Sequence, residues 1–253
     1  MITSYHRPTT FEEALHLLAQ PGLALPLGGG TVLNAPHDLD YGMIDLQALG
    51  LDQIESRGRT LTLGARVTLQ GLVDSLEIQP ALKNAIRHEA TQNLRNMGTL
   101  AGTLVSADGR SPFACAMLAL DAQLTVLPQN ATLDIGEILH LRNYQLPITF
   151  LPNGLITTLT LNTEISLAYE YVARTPADRP IVCVAAARWP SGRLRVVVGG
   201  WGQSPRLALD APEPGGLEPA VDSAASEAGD EWASTAYRRE IAVILARRAV
   251  ERL

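Results

Sequence analysis

At 253 residues, 46% hydrophobic and 18% charged, the chain can build one large domain or two to three small ones around a sizeable core. Acidic residues outnumber basic ones 26 to 20, and the net charge of −6 with no basic tract excludes a nucleic-acid-binding surface. Cys115 and Cys183 each sit in an apolar run and read as small buried thiols, which excludes a disulfide scaffold and an iron–sulfur cluster in this chain.

No apolar run approaches the roughly 18 residues of a membrane span. The polar start, 1–10, is no signal peptide, so the expected compartment is the cytoplasm. Thr10 and Glu13 have the spacing of a capping box, with Phe11, Ala14, Leu15 and Leu18 on one apolar face and Pro21-Gly22 as the stop. That helix should pack on a strand at 23–27, and 43–46 is a second short strand, so 5–49 reads as a small α/β unit. His37 and Asp38 read as solvated loop residues.

Segments 53–56 and 60–63 flank Arg57-Gly58-Arg59 as a hairpin, and Thr68 is placed to cap the helix that follows. A further helix, 80–88, opens on a proline whose missing N–H costs nothing there. An apolar helix spans 112–120, and 123–127 and 155–161 are strand-like. Between those strands, 128–153 holds three prolines and little periodicity, so an irregular crossing is expected. From Ser166 the pattern turns antiparallel, with strands at 167–173, 181–189 and 194–198 around a Pro190-Ser191-Gly192 turn. Residues 211–231, rich in Pro, Gly, Ala and acids, read as a solvated linker. The closing helix, 234–252, should bury Tyr237, Ile241, Ile244 and Leu245 and expose its arginines.

Two glycine clusters stand out. In 93–108, NLRNMGTLAGTLVSAD, Gly98 and Gly102 permit backbone turns closed to other residues, and Thr99 and Thr103 add hydroxyl donors. Such a stretch can cradle a phosphate on backbone N–H groups alone. The second cluster, Gly28-Gly29-Gly30-Thr31, follows the 23–27 strand, and the two loops together could grip one diphosphate. The start of the 112–120 helix is expected to aim amide dipoles at the same ligand. Other chemistries lack their motifs: there is no Gly-x-Ser-x-Gly, no His-Glu-x-x-His and no P-loop lysine, Lys83 being the only lysine. The glycine spacing and the proline-bearing stretch 32–36 also fit a nicotinamide-binding double-wound fold badly.

On these residues the chain resembles the FAD-binding middle subunit of molybdenum hydroxylases, the family of xanthine dehydrogenase and carbon monoxide dehydrogenase. Gly28-Gly29-Gly30-Thr31-Val32 is similar to that family's Ala-Gly-Gly-Thr-Asp loop, and 95–104 to its Arg-Asn-x-Gly-Thr-x-Gly-Gly-Asn-Leu loop. Residues 169–178, 182–187 and 237–249 resemble its C-terminal domain and closing helix. The sequence departs from the pattern at Val32 for Asp, Ala101 for Gly, Thr103 for Asn, Pro112 for Asp and Leu155 for Glu.

The resemblance implies an α+β fold: a two-part FAD-binding domain, made of a small α/β unit (1–52) and a larger α+β unit (53–165), then a C-terminal antiparallel sheet with helices (166–253). It implies FAD held by Leu27, Gly28, Gly29, Gly30, Thr31, Val32, Asn96, Gly98, Thr99, Ala101, Gly102, Thr103, Asp108 and Ser111, with no metal ligands and no catalytic side chains. The implied partners are a molybdenum-cofactor large subunit, where substrate is oxidised, and a 2Fe–2S small subunit that hands electrons to the flavin. Two other roles share the fold: a stand-alone FAD oxidoreductase, and a structural subunit that has lost tight flavin binding.

Overall fold

The computed structural model describes residues 1–33, 40–142 and 154–253, and of 141 and 142 the backbone alone. Along the chain run β1 (Ile2–His6), α1 (Phe11–Leu18), β2 (Ala24–Leu27), β3 (Tyr41–Asp45) with a 3₁₀ turn after it (Leu46–Leu49), β4 (Ile54–Arg57), β5 (Thr60–Gly64) and α2 (Leu69–Asp74). Four more helices follow, α3 (Pro80–Glu89), α4 (Gln92–Met97), α5 (Leu100–Ser106) and α6 (Pro112–Ala119), and then β6 (Gln123–Leu127), β7 (Ala131–Asp134), α7 (Ile135–Arg142) and β8 (Leu155–Asn162). The chain ends with β9 (Ser166–Val172), β10 (Val182–Arg188), β11 (Leu194–Gly199), β12 (Arg206–Ala211), α8 (Leu217–Ala224) and α9 (Thr235–Glu251).

The fold is α+β, as expected, and divides into two compact units. One comprises Met1–Leu72, Gln92–Ser106 and Gln123–Thr160, the other Val73–Thr91, Ala107–Ala122 and Leu161–Leu253. Segments 1–52 and 166–253 each fall whole within one unit, while 53–165 contributes to both.

The first unit carries two sheets. In the smaller, ordered β1-β3-β2, both outer strands run parallel to β3. Helix α1 packs on β2 and β3 through Ala14 and Leu18; Thr10 Oγ1 accepts from Glu13 N–H at 3.2 Å, and the Glu13 carboxylate accepts from Thr9 N–H at 2.9 Å. Strand β1 escapes sequence analysis because all its side chains are exposed and no alternation marks it.

The larger sheet, ordered β4-β5-β8-β6-β7, contains the expected β4–β5 hairpin, with Gly58 at φ +61° in its turn. Instead of an irregular crossing from 128, the chain forms β7 and α7; the remainder of that crossing, 143–153, lies outside the described residues, as do His37 and Asp38. Asp134 and Glu137 cap α7 reciprocally, each side-chain oxygen accepting from the other's N–H at 3.1 Å, and Ile135, Ile138 and Leu139 are buried.

The second unit is built on one antiparallel sheet, ordered β12-β11-β10-β9. Val182, Val184 and Ala186 of β10 join a core with α8 and α9, while the alternate residue Cys183 lies beside Cys115 of α6. With helices against both faces, the first six residues of β10 are all buried, which is why this strand reads as a continuous apolar run. Helix α6 packs on α3, β10 and β11 and is buried on every side.

The segment 211–231, a linker by composition, instead ends β12 and forms α8, whose Leu217 and Val221, with Ala225 and Ala228 beyond it, lie in the core at helical spacing. The acidic residues Glu213, Glu218 and Glu227 that suggested a linker are exposed. Helix α9 buries Arg238, Ala242, Leu245, Ala246 and Ala249, a stripe displaced from the expected one, leaving Tyr237 41% exposed. Arg238, expected at the surface, is fully buried: Nε donates to Ile181 O at 3.1 Å, Nη1 to Ala228 O at 2.5 Å, and Nη1 pairs with Asp230 at 2.8 Å.

A second buried charge sits at the end of α3. Glu89 accepts from Ser111 Oγ–H at 2.6 Å and Phe113 N–H at 3.1 Å, and pairs with Arg179 at 3.3 Å; Arg179 in turn holds Asp108 at 2.8 Å. The start of α6, expected to face a ligand, is thus taken by an internal carboxylate. Burial pushes the Glu89 carboxyl above the usual range, against the pull of Arg179 and the two hydrogen bonds.

Two outcomes follow from these buried charges. Arg238→Met should lower unfolding free energy by about 3–5 kcal/mol in urea titration, because it strands two carbonyls and Asp230. At Glu89 the native protein holds its proton more tightly than the unfolded chain. The associated stability is complete below the unfolded carboxyl pKa and is lost as pH rises through the raised folded value. Urea midpoints over a pH series should therefore show Glu89→Gln gaining on the parent as pH rises; the opposite slope contradicts the assignment.

Candidate functional site: a glycine-walled cleft

The first unit contains an open cleft with about 980 Å³ of empty space, counting the part open to solvent. It lies where β2 runs out into Gly28-Gly29-Gly30 and β3 into Leu46, at the carboxyl ends of parallel strands where open sheets commonly bind ligands. Asp45 fixes that second corner, accepting from Tyr5 Oη–H at 2.5 Å and from Gln47 N–H at 2.9 Å.

The opposite wall is the stretch expected to be a phosphate loop, and its conformation differs from that expectation. Residues 93–108 form α4 and α5 with Gly98-Thr99 between them, and neither Gly98 nor Gly102 adopts positive φ. Both α4 and α5 are short, and the turn between them is pinned by backbone bonds. Leu69 N–H donates to Gly98 O at 2.9 Å, Leu100 N–H to Val67 O at 2.8 Å and Ala101 N–H to Ala65 O at 3.0 Å. Gly98 N–H donates to Leu94 O, Gly102 N–H to Thr99 Oγ1 at 3.3 Å and Thr103 N–H to Thr99 O at 2.9 Å. These amides are committed inside the protein and are not available to a phosphate.

The first glycine loop is the reverse case. The N–H groups of Gly28, Gly29, Gly30 and Thr31 have no acceptor among the described residues, and Gly30 adopts φ +71°. A Cβ on Gly28 would stand 2.6 Å from Thr99 Oγ1, and one on Gly29 would overlap the Met97 carbonyl outright. The two glycine clusters therefore do meet, with the first pressed onto the turn of the second.

Of the residues expected to hold a cofactor, Gly28, Gly29, Gly30, Thr31, Val32, Thr99, Ala101 and Gly102 line the cleft together. The others lie off its lining. Leu27 packs beside the small core of Leu25, Tyr41 and Met43; Asn96 is exposed on α4; Gly98 is buried in the turn; Thr103 donates its hydroxyl to Thr99 O at 2.8 Å. Asp108 and Ser111 belong to the second unit, engaged with Arg179 and Glu89.

The cleft also holds a residue that no motif announced. Arg66 stands two residues beyond the end of β5; its N–H donates to Leu51 O at 2.8 Å and that of Ala65 to Thr157 O at 2.8 Å, so its backbone is held in place. Its buried Nε has no hydrogen-bond partner among the described residues. Leu25, Leu46, Leu155 and Ile156 supply apolar surface. Among the described residues no group of His, Cys, Asp and Glu could hold a metal ion, and no helix is long and apolar enough to cross a membrane.

Glycine-permitted backbone approach, unspent amides and one guanidinium N–H unpartnered among the described residues, beside apolar walls, define a site for a phosphate-bearing organic cofactor. Residues 1–145, more than half the chain, match the family described as FAD binding domain in molybdopterin dehydrogenase, and the chain belongs to that family, whose cofactor is FAD. The protein YgfM of Escherichia coli (strain K12) is 28% identical across 97% of this chain and 94% of its own. The carbon monoxide dehydrogenase medium chain of Afipia carboxidovorans is also 28% identical, across 98% and 95%. Carbon monoxide dehydrogenase from Hydrogenophaga pseudoflava, in a structure lacking the Mo-pyranopterin moiety, shares the fold with a TM-score of 0.79 at 22% identity, across 99% of this chain and 96% of that one.

The glycines differ in what they tolerate. Gly29→Ala places a Cβ in a backbone carbonyl and should lower the melting temperature clearly, by an overlap no rotamer relieves. Gly102→Ala meets only the Thr99 hydroxyl, at 2.9 Å, and gains about 0.5–1 kcal/mol of helix propensity, so its melting temperature should stay within a few degrees of the parent.

Proposed function

We propose that this chain is the flavin subunit of a molybdenum-hydroxylase-type complex, taking electrons from an iron–sulfur subunit and passing them to an external acceptor while a molybdenum subunit oxidises the substrate. The observation that carries the reading is the cleft: unspent amides at Gly28–Thr31 facing a wall of small residues, inside a domain of the FAD-binding family. The relative named carbon monoxide dehydrogenase medium chain, matched over nearly its whole length, supports a place in a multi-subunit enzyme.

FAD bound here supplies the redox chemistry. The residues of this chain hold and screen it. Gly28–Thr31 offer amides to phosphate, Leu25, Leu46, Leu155 and Ile156 exclude water, and Arg66 is the only titratable residue among the described ones lining the cleft. Proton transfer by side chains is thus not assigned to this cleft. We propose the division 1–52, 53–165 and 166–253 as the functional segments, and the cytoplasm as the compartment, in keeping with two free cysteines.

One observation favours a second reading, a structural subunit without tight flavin: the amides of Gly98 and 100–103 are spent internally, and Val32 puts a half-exposed apolar side chain where the family pattern has Asp. Titrating the apo-protein with FAD decides between them. The first reading expects stoichiometric quenching of flavin fluorescence and, from the native host, copurification with a molybdenum subunit and an iron–sulfur subunit. An active flavoprotein purified without partners instead supports the stand-alone oxidoreductase, and absence of flavin binding supports the structural subunit.

A further inference from the structure

We propose that Arg66 is the charged anchor of the cleft, binding the diphosphate that joins the two halves of the cofactor. The inference rests on the flavin reading and adds a residue outside both glycine motifs. Four observations carry it.

First, the wall that would otherwise offer amides has spent them: Leu100 on Val67, Ala101 on Ala65, Gly102 and Thr103 on Thr99. Half of the expected cradle is therefore closed to an anion, and a donor has to come from elsewhere. Second, among the described residues lining the cleft Arg66 is the only cation and no carboxylate accompanies it, so its charge is unbalanced within the site. Third, its Nε is buried without a partner among the described residues, although buried N–H groups are nearly always paired. An orphaned guanidinium N–H at a ligand cleft is a donor kept for something that arrives. Fourth, the backbone that carries it is fixed: Gly64 N–H donates to Gln53 O at 2.9 Å, Arg66 N–H to Leu51 O at 2.8 Å and Val67 N–H to Gly64 O at 3.0 Å. A guanidinium on such a support offers a planar fork suited to two phosphate oxygens at once. Together with the unspent amides of Gly28–Thr31, it completes a set of donors for one dianionic group.

The test uses the full chain as apo-protein, with FAD, ADP and riboflavin as separate probes followed by fluorescence or calorimetry. Arg66→Met and Arg66→Gln should each weaken FAD and ADP by about tenfold or more and leave riboflavin, which has no phosphate, unchanged. ADP binding to the parent should weaken as salt rises, and the variants should show a flatter dependence. Because the replacement removes an unpartnered buried donor, the ligand-free variants should melt no lower than the parent.

Equal FAD and ADP affinity in parent and variants overturns the role of Arg66 and leaves the flavin reading standing. ADP binding that depends on Arg66, with no FAD binding, overturns the flavin reading and keeps the anchor. Binding of neither probe by the parent overturns both. If the variants do not fold, the parent's salt series decides alone, a salt-independent ADP affinity counting against the anchor.

Discussion

The cleft depends on one close approach, the backbone of Gly29 lying against the Met97 carbonyl where a Cβ would overlap it. Because no side chain intervenes, the loop after β2 settles directly on the turn between α4 and α5. That turn is held from its other side by residues 65–69, through bonds to Ala65 O and Val67 O and from Leu69 N–H. Three stretches of backbone, distant in sequence, are thereby locked together with little but hydrogen atoms and hydroxyls between them. The space left beside them is the site.

Locking the wall this way consumes its donors. Thr99, Ala101 and Thr103 have the look of ligand-binding residues, yet the Thr99 hydroxyl accepts from Gly102, the Ala101 amide serves Ala65, and the Thr103 hydroxyl serves the Thr99 carbonyl. Backbone hydrogen bonds that define a pocket's shape cannot also bind its contents. The division of labour is accordingly uneven, with shape coming from 97–103 and unspent donors from Gly28–Thr31 and Arg66. A chain with net charge −6 concentrates in this cleft a cation without a lining carboxylate among the described residues, which favours an anionic ligand.

The second unit uses polar chemistry for the opposite purpose. Glu89 gathers Ser111, Phe113 N–H and Arg179, and Arg238 gathers two carbonyls and Asp230, so these charged groups are engaged by the fold itself. Buried ion pairs of this kind add little net stability compared with apolar packing, but removing one partner is costly. Their arrangement constrains how α3, α6 and α9 pack, and it explains why Asp108 and Ser111 are engaged internally. A serine before Pro112 is both a helix cap and a plausible ligand by composition; the nearby carboxylate decides for the cap.

Local rules carried much of this protein. The Thr10–Glu13 cap, the Gly58 hairpin, the Pro80 and Pro112 helix starts, the antiparallel run after Ser166 and both glycine clusters are legible because each depends on residues a few positions apart. Some local signals were present but masked: the Asp134–Glu137 capping pair sits amid prolines, and the Leu217–Val221 stripe sits amid acids and small residues. What only the tertiary structure decided is which polar groups remain unpaired. Whether an amide at 101, a guanidinium at 66 or a carboxylate at 89 faces a ligand or a neighbour depends on which distant backbone packs beside it. Residue type and spacing along the chain contain no record of that distance.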